Sequence, residues 1–342
     1  RHRILIADAV GLGKTLEAGI LVTELIRRGK GRRILVVSLK SMLTQFQKEF
    51  WNRFTIALTR LDSAGLARVR NRIPANHNPF YYYDKTIISI DTLKQDSEYR
   101  VYLEQARWDI IVIDEAHNVA DKGNSSQRAR LAELLATRSD TLIMLSATPH
   151  NGRARSFASL LNMLDPTAIV DPDDYSKADF DNKGLVIRRF KKDIRDQVEE
   201  VFRERQLFTH THAASADEEA AYTALLDIPF THGGKHAVGK RAALLRVGMQ
   251  KTLFSSPAAS IQSVKNRIKS LQAKEDHPDI RAEQDALKQL QATLKAITPK
   301  NYAKYQALHE LLQSKTFGWS HRDTHDRLVI FSERIETLAF LK

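Results

Sequence analysis

The chain has 342 residues, of which 42% are hydrophobic and 27% are charged, a balance typical of a folded protein with a sizeable core. It contains no cysteine, which excludes disulfides and thiolate metal sites. No apolar run approaches the ~20 residues that a membrane helix needs, so we expect no membrane partner and a cytoplasmic location.

Positive charge is unevenly distributed along the chain. Lysine and arginine total 53 against 41 acidic residues, which gives a net charge of +12. The stretch from Lys235 to Lys304 holds fourteen basic and five acidic residues, and therefore most of this surplus. A localised surplus favours a surface for a polyanion such as nucleic acid, although a solvated face is the plain alternative.

Over about the first 150 residues, short apolar runs alternate with longer amphipathic segments, the pattern of strands and crossover helices in a parallel sheet. The runs are rich in Ile, Val and Leu and scarcely alternate, which indicates strands covered on both faces. A helix from Thr15 to Arg28 should follow the first strand. The predicted strands are Ile4–Ala7, Ile34–Val37, Thr86–Ile90, Ile110–Ile113 and Leu142–Leu145. We therefore expect an α/β fold with helices flanking a parallel sheet.

The remainder of the chain is predicted to be mainly helical. Apolar residues recur every three or four positions from Ile261 to Leu271 and from Leu287 to Ile297, on either side of a polar turn at Lys274 to Pro278. This pattern predicts an antiparallel helical hairpin with basic outer faces. The other predicted elements are strands at Arg205–His212 and Leu328–Phe331 and helices at Ser215–Leu226, Tyr302–Leu312 and Glu333–Leu341.

A glycine-rich turn lies between the first predicted strand and the first predicted helix, the context that a phosphate-binding loop requires. Glycines let backbone N–H groups close around phosphate oxygens, and the helix N-terminus adds partial positive charge. Lys14 can neutralise the β- and γ-phosphates of ATP, and the Thr15 hydroxyl can bind Mg²⁺. Asp8 stands where the general pattern has its first glycine. The predicted nucleotide-binding residues are Gly11, Leu12, Gly13, Lys14 and Thr15.

Two carboxylates, Asp114 and Glu115, come directly after the apolar run Ile110–Ile113. In open α/β sheets, ligands bind along the edge where the strands end. We predict that Asp114 holds Mg²⁺ and that Glu115 orients or deprotonates the attacking water. Neighbouring strand residues point to opposite faces, so both carboxylates can serve only if the strand has ended before them.

A third predicted strand end carries small hydroxyl residues, in the motif Ser-Ala-Thr-Pro that begins at Ser146. From there Ser146 and Thr148 could hydrogen-bond His117 and couple the phosphate site to the rest of the protein. The predicted catalytic residues are thus Lys14, Asp114 and Glu115, and the predicted coupling residues are His117, Ser146 and Thr148.

These motifs, in this order, resemble those of the Swi/Snf-type ATPases of helicase superfamily two. That family has an aspartate in place of the first P-loop glycine, as at Asp8, followed by a glutamate where this chain has Ala9. The Asp-Glu-Ala-His and Ser-Ala-Thr-Pro motifs are similar to the family's motifs as well. Further segments that resemble the family are Ile187–Asp193, Gln250–Thr252, Ser255–Ala259 and Leu328–Ser332.

The resemblance implies a RecA-like P-loop NTPase with an α-helical insertion, which uses ATP and Mg²⁺ to move along double-stranded DNA. It implies a first ATP-binding lobe at residues 1–212, a helical insertion at 213–300 and the start of a second lobe at 301–342. By position, the residues that would contact the nucleic-acid backbone are Ser38, Lys40, Asp91 and Thr92. Such contacts would be independent of sequence and sensitive to salt.

The resemblance also bears on activity and on partners. Because the family's later second-lobe motifs supply arginines to the γ-phosphate, we expect this chain to end within an incomplete second lobe and to bind ATP better than it hydrolyses it. Two alternatives stay open: an RNA helicase with the same acidic motif, and a nucleotide-gated module that docks a protein partner on its basic hairpin. The resemblance places the protein in the bacterial cytoplasm or nucleoid.

Overall fold

The computed structural model describes residues 2–95, 97–121, 123, 126–149, 152–197, 206–232, 235–236, 240–273, 277–314, 319–320, 322 and 327–342. The chain divides into two compact units, Arg1–Glu204 and Arg205–Lys342. The boundaries of the three predicted domains stay a prediction.

The first unit is built on a parallel sheet, in which every pair of neighbouring strands runs in the same direction. The seven strands in the described part of this unit are β1 (Arg3–Ile6), β2 (Ile34–Ser38), β3 (Thr59–Arg60), β4 (Lys85–Ser89), β5 (Trp108–Ile113), β6 (Ser139–Leu145) and β7 (Val186–Ile187). Their order in the sheet is β3-β4-β2-β5-β6-β1-β7. The five predicted strands are confirmed, with bounds shifted by up to three residues.

Helices cover both faces of this sheet, as predicted. They are α1 (Lys14–Arg27), α2 (Leu43–Phe54), α3 (Ser63–Arg70), α4 (Ile90–Gln95), α5 (Ser97–Gln105), α6 (Gln127–Thr137), α7 (Ala154–Leu164) and the short α8 (Ala178–Asp181). Alternate residues of each strand supply two separate cores. In β5, Ile110 and Val112 pack with α1 and α2, whereas Ile111 and Ile113 pack with helices on the opposite face. Burial on both faces explains why these strands are apolar throughout.

Helices α1 and α2 approach each other closely at Gly19. A Cβ atom added to Gly19 would lie 2.0 Å from a ring carbon of Phe54, well inside van der Waals contact. The absence of a side chain at Gly19 therefore lets the Phe54 ring rest against the α1 backbone. This packing fixes the helix that begins at the predicted phosphate loop.

The second unit is mainly helical. Its described elements are α9 (Ala216–Leu226), the antiparallel pair β8 (Thr231–His232) and β9 (Lys235–His236), α10 (Lys240–Leu253), α11 (Pro257–Gln272), α12 (Pro278–Ala296), α13 (Ala303–Gln313) and α14 (Ile335–Leu341). Ser215 begins α9 with a capping box: its side chain accepts from the Glu218 N–H, and the Glu218 carboxylate accepts from the Ser215 N–H. The helix predicted at Ser215–Leu226 is confirmed.

The predicted helical hairpin forms from α11 and α12. Val264, Leu271 and Leu287 are among the fully buried residues between them. Arg267, near the end of α11, donates to Glu283, near the start of α12, so the two helices run antiparallel. Part of the predicted turn, residues 274–276, lies outside the described residues. Arg267 corrects the expectation of uniformly basic outer faces, because its side chain is only 16% exposed.

Two strand predictions are wrong. The described residues 206–212 and 327–334 contain no strand, although the second segment includes the apolar run Leu328–Phe331; Arg205 lies outside the described part. Val329 and Phe331 are 65% and 91% exposed. A β-prone run becomes a strand only where a neighbour completes its backbone hydrogen bonds, and propensity alone does not supply one.

Across the portions of the chain that the structure describes, no helix combines the length and apolar character needed to cross a bilayer.

Candidate active site

Three strand ends lie side by side at one edge of the first unit's sheet. Strands β5, β6 and β1 are consecutive neighbours and parallel, so the segments that leave them share the same edge. These segments carry the predicted acidic pair, the Ser-Ala-Thr-Pro motif and the phosphate loop. The topology therefore brings three motifs together that are far apart in sequence.

The phosphate loop has the backbone that its glycines predict. Gly11 and Gly13 have φ values of 87° and 89°, in a region that other residues rarely adopt, and Gly13 caps α1. The Lys14 ammonium donates to the backbone carbonyls of Asp8, at 3.0 Å, and Ala9, at 3.5 Å. Leu12 and Thr15 are half-buried, and Thr15 lies on the first turn of α1. The loop thus curls around the lysine side chain at a helix N-terminus.

Asp114 is held at the tip of β5. Its carboxylate accepts a hydrogen bond of 2.8 Å from the hydroxyl of Ser38, at the end of neighbouring β2. Burial raises the pKa of Asp114, and the nearby Glu115 charge adds to that rise, while the Ser38 bond and the Lys14 charge act in the opposite direction. The strand order places the lysine of the loop and the acidic strand tip at the same edge of the sheet, and the effect of the Lys14 charge on the pKa of Asp114 agrees with that placement.

Glu115 begins a sharp turn. Strand β5 ends at Ile113, before both carboxylates, as their joint use requires. Glu115 has a φ of 49° and a ψ of 50°, the left-handed conformation, and it caps a 3₁₀ helix at Ala116–Asn118. A non-glycine residue in this conformation is strained by about 1–3 kcal/mol, and such strain clusters at functional sites.

His117 links the acidic pair to the hydroxyl motif. Its Nδ1 lies 3.2 Å from a carboxylate oxygen of Glu115 and 3.2 Å from the hydroxyl of Ser146. The Ser146 hydroxyl also accepts from the backbone N–H of Thr148, at 3.3 Å. The Thr148 side chain is exposed. The structure thus joins His117 to Ser146 directly, and Thr148 takes part through its backbone.

Asp8, the residue in place of the usual glycine, has a partner that sequence reasoning missed. Its carboxylate is fully buried and accepts from the backbone N–H and the Nε of Arg189, both at 2.8 Å. The same guanidinium also binds Glu17, on the first turn of α1. Burial raises the pKa of Glu17, and the Asp8 charge raises it further. The segment Ile187–Asp193, which contains Arg189, resembles a family motif. No spacing rule, however, predicts a contact between residues that are 181 positions apart.

The residues predicted to contact nucleic acid have varied surroundings. Lys40 is exposed, whereas Ser38 is 1% exposed and bound to Asp114. Asp91 accepts two hydrogen bonds from the guanidinium of Arg128, and the Thr92 hydroxyl pairs with that of Ser89 at 2.7 Å. A role for these residues in nucleic-acid binding stays a prediction, for which Lys40 has the most accessible side chain of the four.

The chemistry of Asp114 and Thr15 suits magnesium. A carboxylate and a hydroxyl are hard oxygen ligands, and the raised pKa of Asp114 reflects a buried carboxyl group that a cation would stabilise as the anion. Within the described ranges, no three His, Asp or Glu residues cluster as a metal site made of protein ligands alone. Mg²⁺ commonly keeps waters and binds substrate phosphates, so two protein ligands are compatible with it.

Comparisons with known proteins give consistent results. A family model described as "SNF2-related domain" matches residues 1–256. The RNA polymerase-associated protein RapA of Sodalis glossinidius is 33% identical over 174 residues, which cover 50% of this chain and 18% of that protein. RapA of Proteus mirabilis is 31% identical over 178 residues, 51% of this chain and 18% of its own length. The matches therefore span less than a fifth of these relatives.

Two solved structures are similar at lower sequence identity. The Sulfolobus solfataricus SWI2/SNF2 ATPase core in complex with dsDNA is 18% identical, with a TM-score of 0.46 over 91% of this chain and 60% of that one. The Pyrococcus furiosus Hef helicase domain is 15% identical, with a TM-score of 0.43 over 92% of this chain and 70% of that one.

Proposed function

Because the chain belongs to the SNF2-related domain family, whose model matches residues 1–256, we propose that it is the motor part of an ATPase that moves along double-stranded DNA. Membership confirms the resemblance seen in the sequence. The observation that carries the proposal is the convergence of Lys14, Asp114 and Glu115 at one sheet edge, with Lys14 acting on Asp114.

The proposed roles follow from the surroundings of each side chain. The N–H groups from Gly11 to Thr15 and the Lys14 ammonium bind the ATP phosphates. Thr15 and Asp114 hold Mg²⁺, which neutralises charge on the phosphates when bound. Glu115 accepts a proton from the attacking water, or orients it, and His117 reports the state of Glu115 to Ser146 over two distances of 3.2 Å.

Double-stranded DNA is the proposed track. The net charge of +12 and the basic stretch from Lys235 to Lys304 suit a polyanion. The family resemblance supports duplex DNA over RNA, and the backbone contacts expected at Lys40 would not read sequence. The relatives named RapA are associated with RNA polymerase, so a protein partner of the basic hairpin is also proposed, and the bacterial cytoplasm is the proposed location.

The test is ATP turnover with no nucleic acid, with duplex DNA and with RNA, in a polypeptide that continues through the family's second-lobe motifs. We expect the largest stimulation from duplex DNA. Stronger stimulation by RNA would select the RNA helicase alternative, and no stimulation by either would refute the motor proposal. The 342-residue chain, assayed in parallel, should bind ATP but turn it over slowly.

The basic hairpin needs a separate test, and the structure changes its design. Arg267 is unsuitable for charge reversal because its side chain binds Glu283 inside the unit. Lys265 and Lys269 are exposed, so reversing their charges should leave the fold intact. If reversing both charges weakens duplex binding, the hairpin contacts DNA; if duplex affinity is unchanged, the protein-docking alternative is favoured.

A further inference from the structure

The ion group of Asp8, Arg189 and Glu17, in which only Asp8 is buried, lies at the base of the phosphate loop. We propose that Arg189 is a positioning residue that sets the loop's affinity for triphosphate, because its guanidinium binds both carboxylates and offsets one of their two negative charges. This inference rests on the proposed ATPase function. The family resemblance of Ile187–Asp193 does not by itself give Arg189 this role in nucleotide binding.

Both carboxylates lie close to the expected anion. Asp8 stands at the first position of the loop motif, and its backbone carbonyl accepts from Lys14 at 3.0 Å. Glu17 is on the first turn of α1, whose N-terminus provides partial positive charge to the phosphates. Two uncompensated negative charges here would repel the phosphates. They would therefore counteract the attraction that Lys14 and the helix dipole provide. One guanidinium that binds both carboxylates offsets one of these two charges.

Asp8 depends on this partner more than Glu17 does. The Asp8 side chain is 0% exposed, so water does not stabilise its charge, whereas Glu17 is 25% exposed. The Arg189 side chain is 45% exposed and is therefore not a core residue. Its hydrogen bond to Asp8 is also the main reason that the pKa of Arg189 is raised.

A purely structural role for the Arg189 side chain explains its contacts less well. The backbone already joins the two segments: Ala9 N–H donates to the Arg189 carbonyl at 3.0 Å, and β7 pairs with β1 just before it. Any residue at position 189 would keep that carbonyl. What only arginine contributes is a positive charge with enough donors for two carboxylates.

The experiment measures the affinity of the 342-residue chain for fluorescent ATP and ADP analogues, with Mg²⁺. Arg189→Met should weaken ATP binding on the order of tenfold, the effect of a unit charge ~10 Å away at an effective dielectric constant of ~20. ADP should lose less because it carries less charge. Asp8→Asn in the same chain should restore most of the lost affinity. Arg188→Met is the matched control, since that guanidinium lies 4.8 Å from the Phe190 ring centroid and should matter little.

Glu17→Gln removes the charge of Glu17 but keeps a side-chain oxygen that can accept from Arg189. It removes one negative charge near the phosphates, so it should tighten ATP binding a few-fold, more at low salt than at high salt. A structural role predicts weaker or unchanged binding. This arm stays decisive if Arg189→Met fails to fold in a thermal melt.

The outcomes separate two failures. If the unaltered chain binds neither nucleotide, the proposed function fails and the role of Arg189 fails with it. If the unaltered chain binds ATP, but Glu17→Gln does not tighten binding or Arg189→Met weakens ATP and ADP equally, only the inference about Arg189 is overturned.

Discussion

At the tip of β5, two adjacent carboxylates have different surroundings because the backbone turns between them. Asp114 is fixed by Ser38 and lies near Lys14. Glu115, in its left-handed turn, places its carboxylate beside His117, with its side chain 35% exposed. A metal ligand needs a fixed oxygen, and a residue that handles water needs access to it. The difference in environment therefore supports the two proposed roles.

Glu115→Gln tests this division of roles. The amide keeps the size of the side chain but cannot accept a proton from water, so ATP binding should be unchanged and turnover should fall by at least about 10²-fold. Lys14→Ala should instead abolish ATP binding, because it removes the positive charge that binds the phosphates. Nucleotide fluorescence and phosphate release measure the two effects, with exposed Lys30→Ala as the control. Intact turnover in Glu115→Gln would show that its carboxylate is not the base.

Tyr302 provides a prediction about pH. Burial raises the pKa of Tyr302 to about 12, so the folded state favours the neutral phenol. The stabilisation is complete below the unfolded pKa of ~10 and is lost as pH rises through the folded value. In an absorbance titration at alkaline pH, Tyr302 should ionise in a late step, to which Tyr175 can add because burial raises its pKa as well.

One variant identifies that late step. Tyr302→Phe should remove it or reduce its amplitude. A late step that is unchanged in Tyr302→Phe would contradict the assigned burial of Tyr302.

Among the helices, the contact of α1 with α2 predicts the effect of a single methyl group. Gly19→Ala should destabilise the first unit by ~1–3 kcal/mol, because overpacking against Phe54 outweighs the ~1 kcal/mol gained in helix propensity. Gly248→Ala in α10 is the matched control, since its Cβ would have no atom within 4 Å. That variant should be stabilised by up to ~1 kcal/mol. Chemical denaturation measures both, and a stabilised Gly19→Ala variant would show that Phe54 moves aside at little cost.

The α11–α12 hairpin depends on a buried ion pair. Glu283 is 0% exposed and accepts from Arg267 and from the backbone N–H and hydroxyl of Thr231. Arg267→Ala would leave this carboxylate buried without its cation, which should cost about 3–5 kcal/mol of unfolding free energy. Lys265→Ala, on the exposed side of the same helix, should change stability by less than ~0.5 kcal/mol. Equal effects in the two melts would be inconsistent with the pair.

Local patterns predicted most elements but not the pairing between them. Apolar runs identified β5 because both its faces are buried, whereas the two-residue strands β3 and β7 are too short to carry a periodic signal. The run at Leu328–Phe331 has a strand-like composition but no neighbour in the described chain. Arg267 looked like one more surface charge because the sequence does not show which face of α11 meets Glu283. The phosphate loop and acidic tip were predictable since each is a contiguous motif, but the Asp8–Arg189 pair was not.

For the molecule as a whole, each unit has cores of its own. The two cores of the sheet use residues of the first unit, and the third core uses residues of the second. All the residues assigned to nucleotide binding and hydrolysis lie in the first unit. Residues 1–204, produced alone, should therefore fold and bind ATP within about threefold of the 342-residue chain, since domains with their own core fold independently. Loss of affinity, measured with the fluorescent analogue, would show that the second unit contributes to the site.

Strand β1 lies between β6 and β7, although it precedes both in the chain. Its edges stay open until the ribosome has produced residues 139–145 and 186–187, and Asp8 gains its partner 181 residues later. At synthesis rates of 5–20 residues per second, that delay is roughly 10–40 s. During this interval the nascent chain exposes an unpaired apolar strand, and the proposed nucleotide site is incomplete. Chaperones that cover apolar segments would have their greatest effect on this protein then.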